Sequence, residues 1–285
     1  MQDKKIVAII QARMASSRLP GKVLKNICGK PMLAWVVERT SRSEIIGEVV
    51  VATTIDSSDD PIMEYCHTEG ITCMRGSGED VLDRYYQVAS FYKADVIVRI
   101  TADCPFIDPG LIDKLLFAFD ETGVDYATNR LPPPWGRTYP IGLDEEVCTM
   151  DALRRAWQEA EFPYQREHVM PYFYELAPVD EYQTYKQINR IWNVPAPRNF
   201  RVLLLNHDLN LGNLRWTVDT AEDLSLAQEI GRHFQCHDDF SWQEILHFTE
   251  QNPDIARINA HVEHKGFKDI DERQSKTRYR HQSGK

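Results

Sequence analysis

Short apolar segments that alternate with helical segments are the feature that most constrains this fold. Ile6–Ile10, Val49–Ala52 and Val96–Ile100 are nearly continuous hydrophobic runs, which is typical of strands buried on both faces of a sheet. The helical segments that follow them span about 31–42, 59 onwards, 80–92 and 109–119. Strands that alternate with helices predict an α/β fold with a mostly parallel sheet and helices on both faces.

The pattern changes after residue 125, and this change predicts an inserted lobe. We assign 1–127 and 201–252 to an α/β core, 128–200 to a small lid or dimerisation lobe, and 253–285 to a polar C-terminal tail with a basic end. The later predicted strands span about 71–74, 139–148, 183–194, 201–205 and 214–218, and the later helices 151–161, 164–176, 220–234 and 242–251.

Charge and composition exclude several classes of protein. The chain has 285 residues and a formal net charge of −10, so it is a poor partner for nucleic acid or an anionic membrane. The polar start and the short apolar runs predict neither a signal peptide nor a membrane span. The six cysteines form no C-x-x-C pair, which favours buried free thiols over a disulfide framework. These features predict a cytoplasmic protein.

The loop after the first strand carries the strongest local signal. It places Arg13, Arg18 and Lys22 beside the hydroxyl of Ser17 and the small Gly21. Cations and loop N–H groups can bind a triphosphate, and glycine allows close approach of the backbone. The spacing matches neither the P-loop nor the dinucleotide-binding pattern. The alternative is a solvated basic loop on an acidic protein.

Two aspartates follow predicted core strands. Asp103 comes after the strand at 96–100, and Asp219 comes after the segment 214–218. Ligands of parallel sheets bind beyond the carboxyl ends of the strands, and two carboxylates at that edge suit Mg²⁺. The alternative is that each aspartate caps a helix. Asp108 and Glu222 are interpreted as caps or first-turn charges.

These motifs resemble a known family. Residues 12–22, from Ala12 to Lys22, and Gly29–Leu33 closely resemble the nucleotide-binding segment of the acidic-sugar cytidylyltransferases, which are the CMP-sialic acid and CMP-Kdo synthetases. Segments 76–85, 101–109, 166–169 and 214–224 are similar to the spore-coat polysaccharide biosynthesis branch, and the resemblance spans about 5–235. It implies a Rossmann-like nucleotidyltransferase fold and Mg²⁺-dependent transfer of CMP from CTP to an anionic sugar-like acceptor.

The resemblance also implies roles for individual residues. Catalytic roles fall to Arg13, Lys22, Asp103 and Asp219, and the two aspartates bind the metal. The nucleotide-binding set is Ala12, Arg13, Ser17, Arg18, Gly21, Lys22, Arg75, Ser77 and Asp80. The last three of these are expected near the cytosine and ribose, with a simple turn before a helix as the alternative.

The acceptor is expected to contact the second half of the chain. Asn129, Gly142, Asp144 and Glu146 are assigned to this site. Arg166 and His168 are a cation and an imidazole that could hold the acceptor's anionic group. The alternative is a surface ion pair for Arg166 and a structural hydrogen bond for His168. The aromatic residues at 172–174 are interpreted as core or dimer interface, and we expect a homodimer.

Two other functions stay open at this point. One is a sugar-phosphate nucleotidyltransferase that uses UTP, dTTP or GTP, although such enzymes have a glycine-richer first loop than this chain. The other is a non-catalytic nucleotide-binding module, which would have lost a metal carboxylate or a phosphate-binding cation. This sequence keeps both kinds of residue.

Overall fold

The computed structural model describes residues 3–178 and 189–263. Its strands are β1 (Ile6–Gln11), β2 (Asn26–Ile27), β3 (Lys30–Pro31), β4 (Glu48–Thr54), β5 (Cys73–Gly76), β6 (Val96–Thr101), β7 (Tyr126–Thr128), β8 (Glu146–Thr149), β9 (Asn189–Asn193) and β10 (Arg201–Leu205). Its helices are α1 (Met32–Thr40), α2 (Asp60–Thr68), α3 (Val81–Phe91), α4 (Pro109–Thr122), α5 (Met150–Glu159), α6 (Pro163–His168), α7 (Pro171–Tyr174), α8 (Ala221–His233), α9 (Trp242–Gln251) and α10 (Pro253–Ala256).

One eight-stranded sheet forms the centre, in the order β5-β4-β1-β6-β8-β7-β10-β9. The strands β5, β4, β1 and β6 run parallel, as do β7 and β10. β8 lies antiparallel between β6 and β7, and β9 is an antiparallel edge strand on β10. The predicted α/β fold with a mostly parallel sheet is therefore confirmed.

Alternation along the buried strands divides the core into two layers. In β1, Ile6, Ala8 and Ile10 face the layer that contains α1, α2, α4, α8 and α9. Val7 and Ile9 face the other layer, with α3 and α5–α7. Because both faces are covered, β1 has no polar side, and this explains its continuous apolar sequence.

The predicted lobe is in part core. Segment 128–200 contributes β8 and β9 to the central sheet, while α5 and α6 pack against α3. The helix predicted over 164–176 is two short helices, α6 and α7, separated by Val169 and Met170. Pro171 cannot donate the hydrogen bond that would continue the first helix.

Two further sequence predictions differ from the structure. Residues 214–218 are extended but form only one isolated bridge, from Arg215 to Ile141, because their N–H groups bind loop carbonyls at the sheet edge. Within the predicted polar tail, Pro253–Ala256 form α10 and Asn259 is buried, while its neighbours in 253–263 are exposed or half-buried. The basic segment after residue 264 and the start of the strand predicted over 183–194 lie outside the described residues.

The prediction of free thiols is wrong for one cysteine pair. Cys28 and Cys236 form a disulfide with a Cα–Cα distance of 5.3 Å across 208 residues. It joins the turn between β2 and β3 to the chain after α8. Cys66, Cys73, Cys104 and Cys148 are free. No local spacing signals the bonded pair, because only the tertiary fold brings the two residues together.

Adjacent carboxyl groups at the start of β8 have opposite environments. Glu146 is buried and binds the guanidinium of Arg99 and the hydroxyl of Tyr126 (2.8 Å). Glu145 is fully buried, and within the described part of the chain neither of its carboxyl oxygens has a hydrogen-bond partner. Burial, and then the nearby charge of Asp108, raise the pKa of Glu145 well above its ordinary range. The native fold therefore favours the neutral acid at this position.

We predict that Glu145 makes the protein less stable as pH rises. An unfolded glutamate ionises near pH 4.3, while the native carboxyl keeps its proton to higher pH. The unfolded state then binds fewer protons than the native state, so the free energy of unfolding falls by about 1.4 kcal/mol per pH unit in this window. Glu145→Gln removes this dependence. Urea unfolding at pH 5 to 8 should show the variant gaining stability relative to the parent as pH rises.

Glu64→Gln is the matched control, because Glu64 is exposed on α2. Its stability relative to the parent should stay constant over the same pH range. A constant difference for Glu145→Gln as well would mean that Glu145 ionises normally in the folded protein.

Candidate active site

The candidate site lies where β1 and β6 end side by side. The two strands are in register up to Gln11 and Thr101, so the loop after β1 and the turn that carries Asp103 leave the same edge of the sheet. The extended segment 214–218 crosses this edge. The N–H of Val218 and the hydroxyl of Thr217 both donate to the carbonyl oxygen of Asp103, at 2.8 and 3.0 Å. Asp219 is therefore placed beside Asp103.

One ammonium group joins these two aspartates. Nζ of Lys22 lies 2.6 Å from Oδ2 of Asp103 and 2.7 Å from Oδ1 of Asp219. Burial of Lys22 disfavours its charge, but the two carboxylates outweigh burial and raise the pKa of the ammonium. The predicted phosphate-binding lysine and both predicted metal ligands thus form one contact.

Asp219 binds two more cations. Its Oδ2 lies 2.8 Å from Nη2 of Arg18 and 2.7 Å from Nη2 of Arg215. Burial opposes ionisation of Asp219, yet the charge of Lys22, with that of Arg18, holds its pKa well below the ordinary range. The carboxylate stays charged because three cations surround it.

Neither aspartate caps a helix. The side chain of Asp108 accepts from the N–H of Leu111 and caps α4, as predicted. Thr220 caps α8 by accepting from the N–H of Asp223. Both cap positions are filled by other residues, so the carboxylates of Asp103 and Asp219 are directed to Lys22.

Backbone contacts fix the shape of the loop that carries Lys22. Gly21 has a φ of +67°, which favours glycine, and its N–H donates to the carbonyl of Met14 (2.8 Å). The N–H of Met14 donates to the buried Asp59 (2.6 Å). Ala12 is buried and continues the ladder to Ala52.

The other predicted residues of this loop stand at its surface. Arg13 is half-buried and Ser17 is exposed. Arg18 contacts Asp219, as described above.

The predicted cytosine and ribose residues have structural contacts. Arg75 donates to the carbonyls of Thr54 and Asp56 and to the carboxylate of Asp60, each at 2.6 Å. Asp80 caps α3, and the hydroxyl of Ser77 accepts from the N–H of Asp80. These three residues shape the sheet edge next to the site, and they are not joined to the Lys22 contact.

Arg166 has the contacts of a brace between helices. Its Nε donates to Oδ2 of Asp80 (2.6 Å), and its Nη1 donates to the carbonyls of Trp157 and Ala160. The arginine thus ties α6 to the start of α3 and the end of α5. This arrangement matches the structural alternative more closely than an anion site for Arg166. His168 is the last residue of α6.

The other predicted acceptor residues converge on a loop beside Asp103. The buried side chain of Asn129 binds the carbonyl of Leu143 and the N–H of Glu145, so Asn129 holds the backbone of this loop. Gly142 has a φ of +107°, and a Cβ there would lie 2.4 Å from the backbone nitrogen of Thr217. Only glycine allows this approach to the segment that leads to Asp219.

Three arginines surround the two carboxylates of this loop. Asp144 binds Nη1 and Nη2 of Arg137, at 2.7 and 3.0 Å, and lies 3.5 Å from Nε of Arg130. Glu146 binds Arg99, whose Nη2 also donates to Gln11 at the end of β1 (3.1 Å). Burial, then the charge of Asp103 and that of Asp144, raise the pKa of the Cys104 thiol, so Asp144 lies near enough to act on the same group as Asp103. These three arginines, Arg99, Arg130 and Arg137, form an arginine cluster. The cluster therefore borders Asp103 and Asp219, the two metal-type carboxylates.

The carboxylates fit a hard divalent cation, although they form an incomplete ligand set. No group of three or more His, Cys, Asp or Glu side chains among the described residues is arranged to hold a metal. Mg²⁺ commonly takes one or two protein carboxylates and completes its shell with phosphates and water. Asp103 and Asp219 match that pattern, since both already converge on one cation.

Several residues that shape the site were not predicted from the sequence. Arg215 is nearly buried and pairs with Asp219 and Asp223, and Arg99 is buried against Glu146. Both arginines stand inside apolar runs, and this is a usable signal, because a buried guanidinium must have a charged or polar partner. The partners themselves could not be read from local sequence.

Comparisons with known proteins identify the family of this chain. A model of the family described as cytidylyltransferase matches residues 7–194. The spore coat polysaccharide biosynthesis protein SpsF of Bacillus subtilis is 32% identical over 88% of this chain and 96% of its own length. A 3-deoxy-manno-octulosonate cytidylyltransferase of Acidobacterium capsulatum is 26% identical over 81% of this chain and 98% of its own length.

A solved structure shows the same fold. The cytidylyltransferase of Leptospira borgpetersenii serovar Hardjo-bovis superimposes with a TM-score of 0.77 at 30% identity, covering 92% of this chain and all of that one. In residues 3–178 and 189–263, no helix is both long and apolar enough to cross a membrane. The predicted resemblance is confirmed, and the chain belongs to the cytidylyltransferase family of nucleotidyltransferases.

Proposed function

We propose that this enzyme transfers CMP from CTP to a hydroxyl of an anionic sugar-like acceptor, with release of pyrophosphate. The contact of Lys22 with Asp103 and Asp219 is the observation that supports this most directly. It combines a phosphate-type cation and two metal-type carboxylates at the edge of the sheet where ligands of parallel sheets bind. The relatives named for polysaccharide and sugar-acid metabolism support a sugar acceptor.

The triphosphate of CTP would lie along the loop after β1. Arg18 and Lys22 approach the site from this loop, and charge-assisted hydrogen bonds to phosphate oxygens are the strong ones. Both cations now bind carboxylates, so they are already ordered near the place where a phosphate would be held. Preordering lowers the entropy that binding costs.

Asp103 and Asp219 would hold Mg²⁺, which neutralises phosphate charge and polarises the phosphoryl group when bound. Around it, the residues of this chain position the reactants. The acceptor oxygen forms a bond to the α-phosphorus, the bond to the pyrophosphate oxygen breaks, and the hydroxyl proton is released. Phosphoryl-type transfer of this kind depends on positioning and charge neutralisation rather than on a covalent intermediate.

The acceptor's anionic group would lie near the arginine cluster. Three guanidinium groups face two carboxylates there, which leaves one positive charge in excess. Nε of Arg130 is buried and has no hydrogen bond within the described residues, although it lies 3.5 Å from Oδ2 of Asp144, so an incoming anion could compete with Asp144 for this donor. In this proposal Arg130 and Arg137 take the anion-binding role predicted for Arg166 and His168.

The nucleotide preference separates this function from its alternative, a transferase that uses UTP, dTTP or GTP. We expect CTP with Mg²⁺ to raise the melting temperature more than the other nucleotides, because only a ligand of the native state stabilises it. Pyrophosphate release across the nucleotides and a panel of hydroxylated sugar acids and neutral sugars would identify the acceptor. Equal or greater stabilisation by UTP or dTTP would exclude the CTP assignment.

Replacement of Asp103 by Asn tests the metal ligand. We expect Asp103→Asn to fold and to lose more than about 100-fold in turnover. Loss of an outer-sphere partner of a metal site already costs up to about 100-fold, and loss of a direct ligand should cost more. Asp120→Asn, at an exposed ion pair with Lys4, is the control and should keep normal turnover. Near-normal turnover of Asp103→Asn at limiting Mg²⁺ would show that Asp103 is not a ligand.

Removal of the bridging ammonium group of Lys22 tests the same site in another way. Lys22→Ala leaves two carboxylates facing each other, so its melting temperature without metal should fall. Mg²⁺ should then raise the melting temperature of Lys22→Ala more than that of the parent, because it can replace the missing charge between Asp103 and Asp219. CTP affinity should fall by about ten- to a hundred-fold, typical of a lost hydrogen bond to a charged group.

Lys25→Ala is the matched control for this experiment, since Lys25 follows the same turn. It should show the parent's response to Mg²⁺ and to CTP. A Mg²⁺ response of Lys22→Ala no larger than that of the parent would argue against a cation site between the two aspartates.

A further inference from the structure

The segment after α10 reaches the base of the active site through one side chain. Asn259 is 3% exposed, although it stands in a stretch whose sequence predicts a polar tail. Its Nδ2 donates to Oδ1 of Asp223 (2.7 Å) and to the carbonyl oxygen of Arg215 (3.0 Å). The family match ends at residue 194, so nothing in it assigns a role to this asparagine.

Asp223 is the centre of the array that Asn259 joins. The residue is 1% exposed, and within the described part of the chain its carboxylate accepts five hydrogen bonds. On Oδ1 they come from Nε of Arg215 (2.9 Å) and Nδ2 of Asn259 (2.7 Å), and on Oδ2 from Nη2 of Arg215 (3.0 Å) and the N–H groups of Asp219 (2.9 Å) and Thr220 (3.1 Å).

This array holds Asp219 at two points. Asp223 binds the backbone N–H of Asp219, and Arg215 binds its carboxylate. Asn259 in turn binds the backbone of Arg215 and the carboxylate that orients the Arg215 guanidinium. Each of its two contacts therefore acts on a group that touches Asp219.

We propose that Asn259 is a positioning residue, which sets the carboxylate of Asp219 for the metal and phosphate through Arg215 and Asp223. This inference rests on the proposed function of Asp219. Outer-sphere hydrogen bonds of this kind orient metal ligands, and their loss typically weakens metal affinity or activity by about 10- to 100-fold. The position of Asn259 also gives the C-terminal segment a direct part in the site.

Metal binding tests the proposal without relying on turnover. Mn²⁺ binding in the presence of CTP, followed by electron paramagnetic resonance, should be about tenfold weaker in Asn259→Ala than in the parent. Asn252→Ala is the matched control, because among the described residues the side-chain amide of Asn252 binds the carbonyl of Phe248 (2.9 Å), in the same part of the chain, and no residue of the site. Asn252→Ala should lower stability and leave Mn²⁺ affinity unchanged.

A double-mutant cycle distinguishes positioning from general destabilisation. If Asn259 acts through Asp219, Asn259→Ala should have little further effect on Mn²⁺ binding in an Asp219→Asn background. The effects of substitutions within one hydrogen-bond network are not additive. Asn259→Ser also removes the amide but keeps a polar hydroxyl, so it should weaken Mn²⁺ binding in the same direction and by less. It replaces the alanine variant if the latter does not fold.

The outcomes separate this inference from the proposed function. Equal Mn²⁺ affinities for Asn259→Ala and Asn252→Ala, or additive effects in the cycle, would overturn the positioning role. Weakened and non-additive Mn²⁺ binding would support it even if no sugar acceptor released pyrophosphate, and that second result would count against the proposed function alone.

Discussion

The site depends on one ammonium group that holds two carboxylates together. Asp103 and Asp219 are 81 and 197 residues from Lys22 in sequence, and each stands in a segment without regular structure. Like charges this close would repel each other and favour protonation of one partner. Lys22 removes that repulsion, and its own charge is retained because two carboxylates compensate for its burial. The geometry of three connecting segments is thereby fixed, with Lys22 at the start of a short 3-10 helix and both aspartates outside regular structure.

A second constraint ties the loop that carries Asp144 to the segment that carries Asp219. The carbonyl of Ile141 accepts from the N–H groups of Trp216 and Thr217, at 2.6 and 3.1 Å, and Gly142 has no side chain to hold the two segments apart. Asp144 follows two residues later and Asp219 two residues after Thr217. The distance between the arginine cluster and the metal-type carboxylates is therefore fixed. The proposed in-line transfer would need such a fixed distance between its two bound reactants.

Features that depend on local sequence patterns were predicted well, and features that depend on contacts between distant segments were predicted less well. The burial of β1, β4 and β6 and the bounds of α9 follow from apolar runs and caps, and the place of Asp103 at the sheet edge follows from the direction of β6. Asp219 reaches Asp103 through tertiary hydrogen bonds of the segment 214–218. Arg75 was predicted to bind the nucleotide from the family resemblance, and Arg166 to bind an anion because it is a cation in the predicted lobe. Their donors bind backbone carbonyls and carboxylates. The Cys28–Cys236 bond and the burial of Asn259 depend on contacts between distant segments, which no periodicity reveals.

Local charge balance would allow an acidic chain to bind the two anionic reactants of the proposed reaction. The net charge is −10, but Arg18, Lys22 and Arg215 balance the carboxylates of Asp103, Asp219 and Asp223 where CTP is proposed to bind. Where the acceptor is proposed to bind, the three arginines of the cluster face the carboxylates of Asp144 and Glu146, which leaves one positive charge in excess. The carboxylates hold those cations close together despite their mutual repulsion, so the charges would need little reorganisation when a phosphate binds, and such preorganisation is commonly the largest electrostatic contribution to catalysis.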